Sequence, residues 1–126
     1  MRIQRLAPVL VVEAIEPVLA FWVDRLGFTK TVEVPHEGRP GFVILERDGI
    51  QIMYQSVESV AADIPPLAKL PLRGTFLYLV VDDLLTIEKA LTGVHPVVPR
   101  RKTFYGADEL IVRDPAGNTV TFAQVS

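Results

Sequence analysis

The sequence predicts an α+β fold in which one strand–helix–strand–strand–strand pattern occurs twice. Two echoes carry this prediction. Leu10-Val11-Val12-Glu13 before one helix is matched by Leu79-Val80-Val81-Asp82 before another, at an offset of 69 residues. Leu45-Glu46-Arg47-Asp48-Gly49-Ile50-Gln51-Ile52-Met53 runs apolar strand, Arg-Asp, Gly turn, second strand, and the segment from Glu109 to Ala123 has the same order. Self-similarity of this kind is the mark of a duplicated supersecondary unit.

Each element has a local reason. Ala7 to Glu13 is β-branched and nearly continuous in apolar character, which predicts a strand buried on both faces. Glu16-Pro17 opens a helix, with Pro tolerated in the first turn and Glu favourable at the positive dipole end. Val18, Leu19, Phe21, Trp22 and Leu26 recur at helical spacing, and Gly27 supplies the stop. Phe28 to Val34 reads as a strand, Pro35 to Pro40 as a turn-rich connection, and Phe42 to Glu46 leads into the first hairpin.

Ser56 is placed to cap a short helix that ends at Pro65-Pro66, and Leu67 to Gly74 reads as an irregular link. Thr75 to Val81 opens the second half. Asp82 or Asp83 caps a helix to about Leu91, with Leu84, Leu85, Ile87 and Leu91 on its apolar face and Gly93 after it. A strand around Pro96 to Pro99 and a basic loop, Arg100-Arg101-Lys102, precede the last hairpin. Its turn is Asp114-Pro115-Ala116-Gly117-Asn118, where Pro presets φ, Gly can take positive φ and Asp can bond the turn backbone. One domain over 1–126 is expected, with a first module at about 1–64, a link at about 65–74 and a second module at about 75–126.

Composition narrows the function classes. At 126 residues, 49% hydrophobic and 22% charged, the chain can bury a core of ordinary globular type. A net charge of −2 with no basic stripe argues against nucleic acid. Absence of cysteine excludes disulfides, thiolate metal sites and a Cys nucleophile. No apolar run approaches a membrane span, and Met1-Arg2-Ile3-Gln4-Arg5 has no signal-peptide core, so no membrane partner and a cytoplasmic location are expected. No Ser-His-Asp set, phosphate loop or paired acid/base carboxylates can be picked out.

The duplicated pattern, with Phe21-Trp22 and Leu26-Gly27-Phe28 after the first strand, resembles the vicinal oxygen chelate superfamily of glyoxalase I, extradiol dioxygenases, fosfomycin-resistance enzymes and bleomycin-resistance proteins. Asp114-Pro115-Ala116-Gly117-Asn118 is similar to that family's Asp-Pro-x-Gly-Asn turn, and Tyr105-Gly106 to its aromatic-Gly pair. The resemblance covers nearly the whole chain. It implies paired βαβββ modules, each curving a mixed sheet around a cavity, usually in a homodimer. It also implies metal ligands on the first and fourth strands of each module, which align here to Ala7, Gln51, Phe76 and Thr121. A divalent metal needs several imidazole or carboxylate donors at about 2 Å. These four residues offer one neutral amide oxygen and one hydroxyl, so no metal or other cofactor is expected, and metal-dependent glyoxalase, dioxygenase or fosfomycin-transferase activity is disfavoured. The histidines, His36 in a Pro/Gly-rich loop and His95 after a helix, lie away from these positions.

Strand alternation assigns the rest of the expected cavity. Val9, Val11, Met53, Gln55, Tyr78, Val80, Thr119 and Ala123 share its face with the aligned positions, while Leu10, Val12, Ile52, Leu77, Leu79, Val120 and Phe122 should pack under the helices. The expected ligand contacts are Gln51, Met53, Phe76, Tyr78, Tyr105, Glu109 and Thr121, on an apolar and aromatic surface suited to a planar or amphipathic molecule. The first expectation is a metal-independent binder resembling bleomycin-resistance proteins, a homodimer that sequesters an antibiotic or an aromatic metabolite without chemistry. The second is a metal-independent enzyme of lyase or isomerase type, with Glu109 or Tyr78 as acid/base and a raised Glu109 pKa as its signature. The third is an interaction module whose cavity is plugged by Phe76. Whether the modules pair within one chain or between two is open.

Overall fold

In a computed structural model that describes residues 1–125, the chain divides into two compact units, Met1–Arg73 and the segment from Gly74 onward. Each unit holds a four-stranded mixed sheet, which gives the α+β class expected from the sequence.

In the first unit the strands are β1 (Val9–Val12), β2 (Thr29–His36), β3 (Arg39–Arg47) and β4 (Ile50–Ser56), in spatial order β1-β4-β3-β2. β1 runs parallel to β4, with Val9 opposite Met53, and β2, β3 and β4 are antiparallel. The helix α1 (Glu16–Leu19) continues as a wider π-helical turn over Ala20–Arg25, and α2 (Val57–Asp63) follows β4. One face of the sheet is buried through Leu10, Val12, Val43, Leu45, Ile52 and Tyr54, together with Phe21, Trp22 and Leu26 of the helical segment. The chain leaves that segment at Gly27, whose φ is +74°, and a Cβ there would meet the Arg47 guanidinium at 2.7 Å. That guanidinium donates to the Leu26 carbonyl, so Gly27 makes room for a side chain that satisfies an orphan oxygen at the helix end.

The second unit repeats the plan. β5 (Phe76–Val80), β6 (Val98–Lys102), β7 (Ala107–Arg113) and β8 (Thr119–Val125) lie in the order β5-β8-β7-β6, with β5 parallel to β8. α3 (Leu84–Ala90) has Asp83 as its N-cap, accepting from the Leu85 and Thr86 amides. Val120 and Phe122 of β8 with Leu110 and Val112 of β7 form the buried side, and Leu84 and Leu91 are buried with them.

Several expectations need correction. β1 begins at Val9, so Ala7 precedes the strand, and Val9 is exposed, so this strand is buried on one face only. β2 and β3 extend to His36 and Arg39, and the turn between them is Glu37-Gly38, both at positive φ. His36 therefore ends a strand. The link between halves contains a 3₁₀ turn at Pro65–Lys69. Leu85 is exposed, because only Leu84 and Leu91 lie toward the sheet deeply enough to be buried. Arg100-Arg101-Lys102 belongs to β6, an edge strand where Pro99 costs no central ladder bond. Among the described residues no helix is long and apolar enough to cross a membrane.

Candidate functional site

The Asp114–Asn118 turn positions the second sheet and performs no chemistry itself. Asp114 is buried, and its Oδ1 accepts from the amides of Ala116 at 3.0 Å and Asn118 at 2.8 Å. Its Oδ2 accepts from Asn118 Nδ2 at 3.2 Å. Asn118 Oδ1 in turn accepts from the Thr75 amide at 2.9 Å, which ties the entry of β5 to the start of β8. Register then follows. Phe76 lies opposite Thr119, Tyr78 opposite Thr121, and Val80 opposite Ala123, all on the face turned away from α3. β7 continues these rows with Ile111 beside Thr121 and Glu109 beside Ala123, and β6 places Arg101 opposite Glu109.

This open face is largely apolar, with an ionic centre at Glu109 and exposed Arg113 opposite Thr119 at its other end. Phe76 is 82% exposed, and Val80 on the same face is exposed too. Glu109, by contrast, is only 1% exposed. Three donors converge on its carboxylate. Arg101 donates to Oε1 at 2.8 Å, Tyr78 donates its hydroxyl to Oε2 at 2.8 Å, and the Tyr105 hydroxyl donates to the same oxygen. The hydrogen bond from Tyr105, with those from Tyr78 and Arg101 and the Arg101 charge, holds the Glu109 carboxyl below the usual carboxylate range despite its burial. The shift is opposite to the one a general acid would need. Tyr78 moves the other way. Its hydrogen bond to Glu109, then desolvation and the nearby negative charge, push its pKa up to about 12. Tyr78 is nevertheless half exposed as a residue, and so is Tyr105, whose ring packs edge-on against exposed Phe104 at 5.1 Å between centroids.

The first unit presents a similar open face without such a centre. Val9, Met53, Ile44 and Val32 lie across it in register, with Val11, Gln55, Phe42 and Val34 in the next row. Gln51 donates through Nε2 to Glu46 at 2.9 Å, while its Oε1 has no hydrogen-bond partner among the described residues. It is the one amide of the aligned set with a spare acceptor.

The aligned metal positions do not fit a metal. Ala7 and Gln51 of the first unit bring one neutral oxygen, and Phe76 and Thr121 of the second bring one hydroxyl, with no imidazole or carboxylate in either pair. Elsewhere in the first unit, His36, Glu37 and Glu58 bring ligand-type atoms within 4.8 Å of one another at the β2–β3 turn and the start of α2. Both carboxylates are exposed, and the group sits at the end of the sheet remote from Gln51.

Of the expected contacts, the structure brings Tyr78, Tyr105 and Glu109 together and sets Phe76 and Thr121 on the same face. Gln51 and Met53 lie on the open face of the other sheet. Arg101 is a further member of the site, which the basic run Arg100-Arg101-Lys102 does not single out. The available signal was charge pairing between Arg101-Lys102 and Asp108-Glu109, which are cross-strand partners in β6 and β7.

Comparison with known proteins adds the following. The sequence matches the family described as Glyoxalase/Bleomycin resistance protein/Dioxygenase superfamily over residues 2–122. No curated protein matches it. Among solved structures, the fold is similar to the bleomycin-binding protein from bleomycin-producing Streptomyces verticillus complexed with copper(II)-bleomycin, with TM-score 0.68, 24% identity, and 100% of this chain and 98% of that one covered. It is also similar to a lactoylglutathione lyase from Agrobacterium tumefaciens, with TM-score 0.75, 16% identity and coverage of 96% and 92%. TioX from Micromonospora sp. ML1 gives TM-score 0.76, 17% identity and coverage of 98% and 99%. At these identities the likeness to each structure speaks to the fold.

Proposed function

The chain belongs to the glyoxalase/bleomycin resistance protein/dioxygenase superfamily, and we propose that within it this protein is a metal-independent binder that sequesters an antibiotic or an amphipathic aromatic metabolite. The observation that carries the reading is the open face of the second sheet, where exposed Phe76, Tyr78 and Val80 share a face with a buried carboxylate already satisfied by three donors. Exposed aromatic rings supply stacking area, and the fixed hydroxyls supply orientation. Among the structural neighbours, the Streptomyces verticillus protein is a bleomycin-binding protein, which supports a binding role for this architecture. Sequestration works by lowering free ligand, so it needs affinity and abundance and no catalytic group. Homodimerisation and a cytoplasmic site of action are part of the proposal. The depressed pKa of Glu109 disfavours a general-acid role for it in the enzymatic alternative, since it has no proton to give near neutrality.

Native mass spectrometry of the protein as purified tests this directly. The expected result is a dimer without stoichiometric metal that carries, or takes up, a small aromatic molecule. A stoichiometric divalent metal whose removal by chelator abolishes ligand uptake would overturn the proposal.

A further inference from the structure

We infer that the ligand seated on the open face of the second sheet is a planar molecule that donates an N–H or O–H hydrogen bond to Tyr78 and Tyr105. This rests on the binding role proposed above and names the chemical class that the site selects. A phenol has one hydrogen and two acceptor lone pairs. Both hydrogens are committed to Oε2 of Glu109, and Arg101 occupies Oε1. What the two half-exposed tyrosines can still offer outward is acceptor capacity alone.

Charge does not override this polarity. Glu109 is ionised, but the Arg101 guanidinium neutralises it at 2.8 Å, so the charge left on this face is that of exposed Arg113, opposite Thr119 at the far end from the two hydroxyls. At the two phenol oxygens an acceptor-only ligand would set oxygen against oxygen. Alternatively a phenol could turn its hydrogen outward, which strips a donor from a carboxylate that is 1% exposed. Leaving a buried charged acceptor short of a partner is costly. Tyr78 also keeps its proton well into alkaline conditions, with its pKa pushed up to about 12, so the arrangement persists at any physiological pH. The exposed apolar side chains on the same face, Phe76 and Val80, accept a flat apolar body.

Carbazole and dibenzofuran are flat, neutral and nearly isosteric, and differ in carrying a ring N–H donor or a ring oxygen acceptor. Their binding to the full chain can be followed by their own fluorescence, in wild type and in a Tyr78→Phe/Tyr105→Phe double variant. The expected result is at least about tenfold tighter binding of carbazole to wild type, as sites built around a hydrogen bond discriminate against partners that cannot make it, with the preference collapsing in the variant. If the double variant does not fold, Tyr78→Phe alone carries the comparison, with a reduced preference expected. Equal binding of the two probes, or a preference that survives the substitutions, overturns the donor inference while leaving an aromatic binder in place. Failure of wild type to bind either probe overturns the aromatic-binder reading and the inference with it.

Discussion

The Trp22 indole N–H donates to the Tyr54 hydroxyl at 2.7 Å, and both side chains are fully buried between the first sheet and its helical segment. Trp22 also packs edge-on against Phe21 and Phe28, with ring centroids 5.1 and 5.0 Å away, so one aromatic cluster joins the helical segment, the residue leading into β2, and β4. Tyr54→Phe would keep the ring volume and remove the acceptor. An indole N–H left buried without it should cost about 1–3 kcal/mol. Because Trp22 is the single tryptophan, its fluorescence reports the event in urea unfolding. The expected outcome is a lower midpoint with an unchanged slope; an unchanged midpoint would mean the indole finds another acceptor at no cost.

The Asp114–Asn118 turn predicts a structural effect of similar size with no chemical one. Asn118→Ala removes the acceptor of the Thr75 amide and the side-chain donor to Asp114. A loss of about 1–3 kcal/mol follows from these partly buried bonds. Affinity for carbazole per folded molecule should stay close to wild type, since neither residue reaches the open face. Retained stability with lost binding would assign the turn a direct ligand role.

Glu109→Gln probes the ionic centre through pH. The folded pKa of Glu109 lies below its unfolded value of about 4.3, so its charge stabilises the fold above that pH. That contribution is lost as pH falls from about 4.3 through the folded pKa. At neutral pH the variant should be less stable by about 1–3 kcal/mol, as for hydrogen bonds to a charged group. As pH falls below about 4.3 the gap to wild type should narrow, because wild type loses the same contribution. Urea midpoints across this range decide it, and a constant gap would show that Glu109 is not ionised in the fold.

What was legible beforehand was whatever period-two alternation controls. Leu10, Val12, Ile52, Val120 and Phe122 are buried as alternation requires, and Phe76, Tyr78 and Thr121 share the opposite face. Asp114 and Asn118 were recognisable as turn formers, although their mutual bonds were not. The ionic centre was hidden for two reasons. Its members come from β5, β6, β7 and the turn before β7, so only the completed register brings them together. Pro99 and three consecutive basic residues also imitate a loop, whereas an edge strand tolerates both, and its charges find partners in Glu88, Asp108 and Glu109. The direction of the Glu109 shift followed from that geometry. Burial alone would have raised its pKa, and the three donors reverse the sign.

Tyr78 gives the complementary alkaline test. Its folded pKa is about 12, above the unfolded value of about 10, so the protonated phenol stabilises the fold below about pH 10 and that contribution is lost as pH rises toward about 12. Subtracting the phenolate absorbance titration of Tyr78→Phe from that of wild type isolates this residue. A midpoint near 12 is expected. In a Glu109→Gln background the same subtraction should fall toward about 10, because the charged acceptor that retains the proton is gone. A midpoint near 10 in the wild-type protein would mean that Glu109 does not hold the Tyr78 hydrogen. The hydroxyl would then be free to donate, and the preference for donor ligands would lose its basis.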